Sequence, residues 1–315
     1  MTTQNKPLAF VFPGQGSQHV GMLKEIAQKF PLIQEVFSQS KNATGKDLWE
    51  LAQFGPEASL NDTVNTQPAL LTAGVALWQV WRQQGGAKPQ LLAGHSLGEY
   101  TALVCANALT LEDAAKLVTL RGKLMQEAVP QGVGAMAAVL GLEDAVLQAV
   151  CEEAAQNEVV APVNFNSIGQ TVIAGHIGAV ERASALAKAK GAKRVLMLPV
   201  SVPSHCELMK PAALALEKAL THVKISIPQI PVIHNVDVEM SQHPDDIREK
   251  LVQQLYRPVR WVETVQRLVG EGIQFVIECG PGKVLTGLIK RIDPVVKPMG
   301  IETPAEVETA LTTVG

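Results

Sequence analysis

The sequence is poor in the residues that mark several classes of protein. Aromatic residues make up 4% and charged residues 18% of its 315 residues, and the formal net charge is −3. The small negative charge and the lack of any Lys/Arg run argue against nucleic-acid binding, which selects for a basic surface. The four cysteines form no CxxC pair and no metal-ligand spacing. We therefore expect packed thiols, with neither disulfides nor a metal site.

Long apolar runs are also lacking near the N-terminus. Residues 1–16 contain only the short run 8–12, which ends at Pro13 and is too short for a signal-peptide core or a membrane span. We therefore expect a cytoplasmic protein that does not enter a membrane. Hydrophobic residues nevertheless reach 47%, so the chain is globular, with a core built mainly from Ala, Val, Leu and Ile.

Short apolar runs alternate with longer helical patterns, and this alternation predicts an α/β fold. The predicted strands of the main sheet are 8–12, 91–93, 231–235 and 275–278. The predicted helices beside them are 67–83, with Pro68 in its first turn, 99–107, 110–128 with Thr110 as its cap, and 264–269.

The segment after Pro130 follows a different pattern. It predicts a strand at 134–140, a helix at 143–156, strands at 159–164 and 171–174, a helix at 179–189 and a strand at 194–198. This βαββαβ order is typical of the ferredoxin-like split βαβ unit. We therefore predict a large α/β subdomain formed by residues 1–129 and 199–315, with a small ferredoxin-like subdomain of residues 130–198 inserted into it.

The strongest local motif is Gly94-His95-Ser96-Leu97-Gly98, a G-x-S-x-G sequence between a predicted strand and a predicted helix. A serine on such a tight turn needs small neighbours, and the helix N-terminus stabilises negative charge beside its hydroxyl. An ordinary glycine-rich turn is the alternative, but the strand and helix on either side favour a nucleophile. Glu99 is expected to be a first-turn carboxylate favoured by the helix dipole.

A serine nucleophile needs a base, and His205 is the candidate among the seven histidines. It follows a predicted strand, in a loop stiffened by prolines, where catalytic groups are common. Lone histidines more often pack, so the residues alone leave its role open. His95 is expected to give structural support. A second glycine turn surrounds Gln15. It lacks the G-K-[ST] sequence of a phosphate loop and does not fit the G-x-G-x-x-G spacing of a dinucleotide-binding loop. Two interpretations remain: a plain loop, or a loop that directs a backbone N–H toward the serine as part of an oxyanion hole.

Taken together, these motifs resemble the malonyl-CoA:acyl carrier protein transacylase family, which includes the acyltransferase domains of fatty acid and polyketide synthases. The matching segments are 12–18 (FPGQGSQ), 94–99 (GHSLGE), 121–125 (RGKLM), 162–166 (PVNFN), 204–209 (SHCELM) and 280–285 (GPGKVL). They run in family order over nearly the whole chain. The resemblance implies a hydrolase-like large subdomain with a parallel sheet and a nucleophile elbow.

The resemblance also implies roles for individual residues. Ser96 is the implied nucleophile and His205 its base, and the backbone N–H groups of Gln15 and Leu97 form the oxyanion hole. Arg121 binds the free carboxylate of malonyl, for which a forked guanidinium is well suited.

Further implied binding residues are Gln15 itself, Met125, Asn166 and Gln254. The region of Gln254 is also expected to supply the oxygen that orients His205.

The implied reaction is transfer of a malonyl group from malonyl-CoA to the phosphopantetheine thiol of acyl carrier protein, by a ping-pong route through acyl-Ser96. It would supply fatty acid biosynthesis, with no cofactor and with a monomeric enzyme. Ser204 occupies a position where methylmalonyl-selective polyketide enzymes often carry Ser. Stand-alone bacterial enzymes of the family commonly carry Ser at this position too. Malonyl is therefore the favoured acyl group, and whether the site also accepts a malonyl group with a small α-substituent is left open.

Two other functions remain possible on the residues alone. A serine hydrolase such as a thioesterase would share the elbow, although its histidine would be expected late in the chain and it would not need Arg121. The second alternative is an inactive acyltransferase-like domain that only docks carrier protein. Such a domain would not need both Ser96 and His205.

Overall fold

The computed structural model describes residues 6–200 and 202–315. Its strands are β1 (Leu8–Phe12), β2 (Leu91–Gly94), β3 (Gly134–Leu140), β4 (Val160–Ser167), β5 (Gln170–His176), β6 (Arg194–Met197), β7 (Val232–Ile233), β8 (Phe275–Glu278) and β9 (Lys297–Gly300). Its α-helices are α1 (Lys24–Lys29), α2 (Leu32–Thr44), α3 (Leu48–Phe54), α4 (Glu57–Leu60), α5 (Thr63–Gln83), α6 (Gly98–Cys105), α7 (Leu111–Ala128), α8 (Asp144–Ala155), α9 (Ile177–Ala189), α10 (Lys210–Leu220), α11 (Pro244–Gln254), α12 (Trp261–Gly270), α13 (Val284–Ile292) and α14 (Pro304–Val314). A short 3-10 helix spans Glu207–Met209.

Five of these strands form a parallel sheet in the order β7-β2-β1-β8-β9. Strands β1, β2 and β8 are buried along their whole length, because helices cover both faces of the sheet. On one face Phe10 meets Trp78 and Trp81 of α5 edge-on, with ring centroids 5.1 and 5.3 Å away. The other face packs on Trp261 and Val265 of α12. The carboxyl ends of these strands are therefore held rigidly.

The predicted α/β fold is confirmed, but helix α5 begins earlier than predicted. It starts at Thr63, so Pro68 lies inside the helix and not in its first turn. Proline has no N–H and leaves the carbonyl four residues earlier without its helical partner. Lys46 Nζ fills that place by donating to the carbonyl of Val64 at 3.1 Å. A contact between distant segments thus lets the helix continue through a proline.

The remaining strands form an antiparallel sheet in the order β4-β5-β3-β6, with α8 and α9 packed on one face. This confirms the predicted ferredoxin-like βαββαβ unit. Beside β4 this sheet is joined to the segment that precedes α12, where Val259 N–H donates to Val163 O at 2.8 Å and Phe165 N–H donates to Val259 O at 3.0 Å. The exact subdomain boundaries stay a prediction.

Among the described residues, no helix combines the length and apolar character needed to cross a membrane.

Candidate active site

Ser96 lies on the turn between β2 and α6, and its backbone is in the left-handed region, with φ of 51°. The two glycines of the motif are required by close approach. A Cβ on Gly94 would lie 1.9 Å from the carbonyl carbon of Gly98, and a Cβ on Gly98 would lie 1.9 Å from Phe12 O. The turn is thus the strained elbow that the motif predicts, and it holds the Ser96 hydroxyl beyond the end of the sheet.

His205 is the hydrogen-bond partner of this hydroxyl. Its Nε2 lies 2.8 Å from Ser96 Oγ, and its Nδ1 lies 2.7 Å from the backbone oxygen of Gln254. A carbonyl can only accept, so Nδ1 carries the proton and Nε2 offers a lone pair to Ser96. Burial, helped by the positive charge of Arg121, lowers the pKa of His205 to about 3. The imidazole is therefore neutral at pH 7 and able to take a proton.

Arg121 projects from α7 into the same site and is almost completely buried. Its Nη1 donates to Gln67 Oε1 at 2.8 Å, and its Nη2 donates to Gln254 Oε1 at 3.0 Å and to Ser96 Oγ at 3.2 Å. The guanidinium also lies over the ring of Tyr100, 5.5 Å from its centroid. All these described partners are neutral oxygens or a ring, so a buried positive charge stands beside the nucleophile without a carboxylate of its own.

Gln15 and Leu97 both line the cavity that contains Ser96, and each carries a backbone N–H group. Neither of them donates to an acceptor within residues 6–200 and 202–315. Leu97 directly precedes α6, where the positive end of the helix dipole adds to the N–H group. Two free donors in this position have the chemistry of an oxyanion hole, and that role stays a prediction.

The cavity that contains these groups has a volume of about 130 Å³. Four larger cavities, of about 770, 630, 440 and 310 Å³, lie elsewhere and contain neither Ser96 nor His205, so volume does not identify the reactive site. Apolar side chains form much of the cavity wall: Met125, Met136, Leu198, Val200 and Val202. A small, mostly apolar site of this kind excludes water and strengthens electrostatic interactions inside it.

The other predicted binding residues are placed as follows. Met125 lines the cavity, and its sulfur accepts a hydrogen bond from Gln67 Nε2 at 3.5 Å. Asn166 is set back from the cavity wall, because its Oδ1 pairs with His95 Nε2 at 2.8 Å. Asn164, two residues earlier on the irregular strand β4, lines the cavity instead.

The sequence did not predict a buried polar cluster below the elbow, formed by Glu99, His234 and Asn235. Asn235 accepts from Ser96 N–H at 2.7 Å and donates to Gly94 O at 2.6 Å, so its side chain braces the elbow. Glu99 is fully buried and lies 2.7 Å from His234 Nδ1. One signal could have found this cluster, because His234 and Asn235 are polar residues at the carboxyl end of a predicted strand, where functional groups gather in parallel sheets.

Comparison with known proteins identifies the family of this chain. The family model described as "Acyl transferase domain" matches residues 9–299. A malonyl CoA-acyl carrier protein transacylase of Salmonella typhimurium is 57% identical, over 96% of this chain and 98% of the relative.

Solved structures show the same similarity. The malonyl-CoA:acyl carrier protein transacylase of Xanthomonas oryzae superimposes with a TM-score of 0.98 at 54% identity, over 99% of this chain and 100% of that one. A malonyl-transacylase solved in complex with its type II PKS acyl-carrier protein gives a TM-score of 0.97 at 52% identity, over 98% and 100% of the two chains. The chain therefore belongs to the acyl transferase family, among the malonyl CoA-acyl carrier protein transacylases.

Proposed function

We propose that this chain transfers a malonyl group from malonyl-CoA to the phosphopantetheine thiol of acyl carrier protein through an acyl-Ser96 intermediate. One observation carries the proposal. A single oxygen, Ser96 Oγ, is 2.8 Å from a neutral imidazole nitrogen of His205 and 3.2 Å from a guanidinium nitrogen of Arg121. A nucleophile, its base and a site for a carboxylate thus meet in one cavity.

In the first half-reaction His205 Nε2 takes the proton of Ser96 Oγ while this oxygen attacks the thioester carbonyl. The carbonyl oxygen becomes an oxyanion, which the N–H groups of Gln15 and Leu97 stabilise. The carbon–sulfur bond then breaks, and the sulfur of coenzyme A leaves with the proton held by His205. Gln254 O keeps the imidazole in the required tautomer throughout, because it accepts from Nδ1.

The second half-reaction runs the same steps in reverse with a different thiol. His205 takes the proton of the phosphopantetheine thiol, whose sulfur attacks the carbonyl of the Ser96 ester. The ester carbon–oxygen bond breaks and His205 returns the proton to Ser96 Oγ. A ping-pong mechanism follows, because the first product leaves before the second substrate reacts.

Arg121 explains why the acyl group is malonyl. The free carboxylate of malonyl must leave water to enter the cavity, and this is costly unless a fixed cation pairs with it. Arg121 offers such a cation with a forked geometry. It also distinguishes this proposal from a serine hydrolase of monocarboxylic thioesters, which has no use for a buried guanidinium at its nucleophile.

The relative solved with a type II PKS acyl-carrier protein supports a carrier protein as the acceptor. We place the reaction in fatty acid biosynthesis and in the cytoplasm. The four cysteines are free and buried, which suits a reducing compartment. We further propose that the enzyme acts as a monomer and that its own side chains supply all the proton transfers of both half-reactions.

The proposal is tested by intact mass spectrometry after incubation with malonyl-CoA. Wild type should gain one malonyl group, and Ser96→Ala should gain none, because the attacking oxygen is gone. Ser204→Ala is the matched control, since Ser204 also lines the cavity and its loss should leave the adduct intact. A full adduct on Ser96→Ala would end the assignment of the nucleophile.

Two further arms test the base and the acceptor. His205→Ala should slow formation of the adduct roughly 10²- to 10⁴-fold, the usual contribution of a general base. Addition of carrier protein bearing phosphopantetheine should remove the malonyl group from wild type much faster than water does. Removal at the same rate with and without carrier protein would favour the hydrolase.

A further inference from the structure

Gln254 contacts each of the three groups that carry the proposed reaction. Its backbone oxygen accepts from His205 Nδ1 at 2.7 Å. Its side-chain Oε1 accepts from Arg121 Nη2 at 3.0 Å, and its Nε2 donates to Ser96 O at 3.0 Å. The side chain is fully buried, so no water substitutes for a misplaced partner. The direction in which this amide points therefore affects the guanidinium directly.

A primary amide can turn over and exchange its oxygen with its nitrogen, and only its partners decide between the two orientations. Arg121 can only donate, so it requires the oxygen. On the other side of the amide, Nε2 also lies 2.8 Å from Glu99 Oε2. A carboxylate can only accept, so it requires the NH₂ group. The reversed amide would set NH₂ against the guanidinium and oxygen against the carboxylate.

Glu99 is well fixed for this task. It lies in the first turn of α6, and its Oε2 also accepts the backbone N–H of Asn235 at 3.0 Å, while Oε1 is 2.7 Å from His234 Nδ1. A buried carboxylate contributes little stability compared with an apolar side chain of similar size. Its presence here is better explained by the direction that it imposes on its neighbours.

We infer that Glu99 is a positioning residue that fixes the orientation of the Gln254 amide and, through Gln254 Oε1, holds Arg121 in place for the carboxylate of malonyl. This inference rests on the proposed function. The amide also separates the carboxylate of Glu99 from the guanidinium, so Glu99 holds Arg121 without occupying the side of the fork that the substrate needs. A direct ion pair would compete with malonyl.

The test compares kcat/KM for malonyl-CoA with kcat/KM for acetyl-CoA in two variants. Glu99→Met keeps the volume but removes the acceptor, so Gln254 loses its orientation, and the malonyl-to-acetyl ratio should fall about tenfold to a hundredfold. Glu99→Gln can keep an oxygen toward Gln254 Nε2 and turn its NH₂ toward His234, whose other tautomer can accept. This variant should keep the ratio within about threefold of wild type.

The ratio removes effects that both substrates share, such as a disturbed elbow or a less stable fold. Glu278→Met is the matched control, because Glu278 is another fully buried carboxylate, but it accepts from the backbone N–H groups of Leu285 and Thr286. Its loss should leave the ratio unchanged. If Glu99→Met does not fold, Glu99→Asp replaces it, because the shorter side chain keeps the charge and withdraws the acceptor; the same fall is expected.

Three results would overturn the inference: an unchanged ratio in Glu99→Met, an unchanged ratio in Glu99→Asp, or a fall in Glu99→Gln as large as in Glu99→Met. Wild type serves as the check on the proposed function itself. If wild type shows no preference for malonyl over acetyl, the proposed function fails; if it shows the preference and Glu99→Met keeps it, only the role of Glu99 fails.

Discussion

The two sheets contribute to the site in different ways. The parallel sheet is buried on both faces, and its strand ends carry or brace the polar groups around Ser96. The antiparallel sheet has α8 and α9 on one face, and its other face packs against the segment around Cys206. From its other side Met136 of β3 and Asn164 of β4, followed by Leu198 and Val200 after β6, complete the cavity wall.

The two sheets differ in their contribution because the polar groups of the site need a rigid support, whereas the apolar wall does not. Hydrogen-bond distances of 2.7–3.2 Å at Ser96 and Arg121 require neighbours that cannot shift, and a sheet buried on both faces supplies them. The antiparallel sheet has an outer strand, β6, that is mostly exposed. The antiparallel sheet mainly contributes apolar side chains to the cavity wall, and these need less exact placement than hydrogen-bonding groups. Changes in the first region should therefore alter the chemistry, and changes in the second should alter the exclusion of water.

The largest effect among the variants of this comparison is expected from Arg121→Ala. Removing one member of a buried charged pair typically costs about 2–5 kcal/mol, which is roughly 30- to 3000-fold in kcat/KM. This loss should appear with malonyl-CoA and be much smaller with acetyl-CoA, which has no carboxylate. Arg121→Lys should recover only part of the rate, because an ammonium cannot form the fork.

Lys123→Ala is the control for Arg121, since Lys123 lies on the same helix and is exposed. It should change neither rate. If Arg121→Ala slowed malonyl and acetyl transfer by the same factor, Arg121 would be a structural residue.

A smaller effect than that of Arg121→Ala is expected when the pH of the acylation reaction is changed. Because burial and the charge of Arg121 lower the pKa of His205 to about 3, the imidazole stays neutral as the pH falls, and the base is lost only near that value. Between pH 8 and 5 the kcat/KM for acylation should fall less than about twofold, whereas a histidine with an ordinary pKa of about 6.5 would give a loss of roughly 30-fold. Single-turnover acylation by malonyl-CoA measures this, with activity at pH 7.5 checked after each incubation. A midpoint near pH 6.5 would contradict the lowered pKa.

The smallest effect on activity is expected in the antiparallel sheet. Met136→Ala should destabilise the protein by about 2–5 kcal/mol, the usual cost for a buried methionine, yet lower kcat/KM only about two- to tenfold. The opened cover should also shorten the lifetime of malonyl-Ser96 in the absence of any thiol.

Met22→Ala is the control for Met136, because Met22 is fully buried in the core beside the parallel sheet. It should cost similar stability without changing the lifetime of the acyl-enzyme. Equal lifetimes in the two variants would mean that the antiparallel sheet does not protect the ester from water.

Much of this arrangement could be predicted from local sequence. The elbow at Ser96, the strand before it, the helix after it and the order of elements in the antiparallel unit all depend on patterns within a few residues. His205 is a candidate from its place after a predicted strand, but its role and that of Arg121 are implied only by the family resemblance, because nothing near them in the chain indicates what they meet. The structure brings His205 to Ser96 across 109 positions.

What could not be predicted depends on contacts between distant segments. Glu99 was expected to be a helix-dipole carboxylate, but the fold brings it to Gln254, 155 positions away. Helix α5 continues through Pro68 with a hydrogen bond from Lys46 Nζ to Val64 O, and Asn166 pairs with His95 across 71 positions. Propensity and periodicity contain no information on such partners.

The left-handed backbone conformation of Ser96 and His205 affects which substitutions at these two positions would stabilise the protein. Ser96 and His205 have φ values of 51° and 65°, a conformation that costs an ordinary residue about 1–2 kcal/mol and costs glycine almost nothing. Glycine at either position would relax the chain locally while removing the reaction. Random substitution under selection for stability alone would therefore drift toward glycine at the very places where the chemistry requires a hydroxyl and an imidazole. At these two positions stability and activity select for different amino acids.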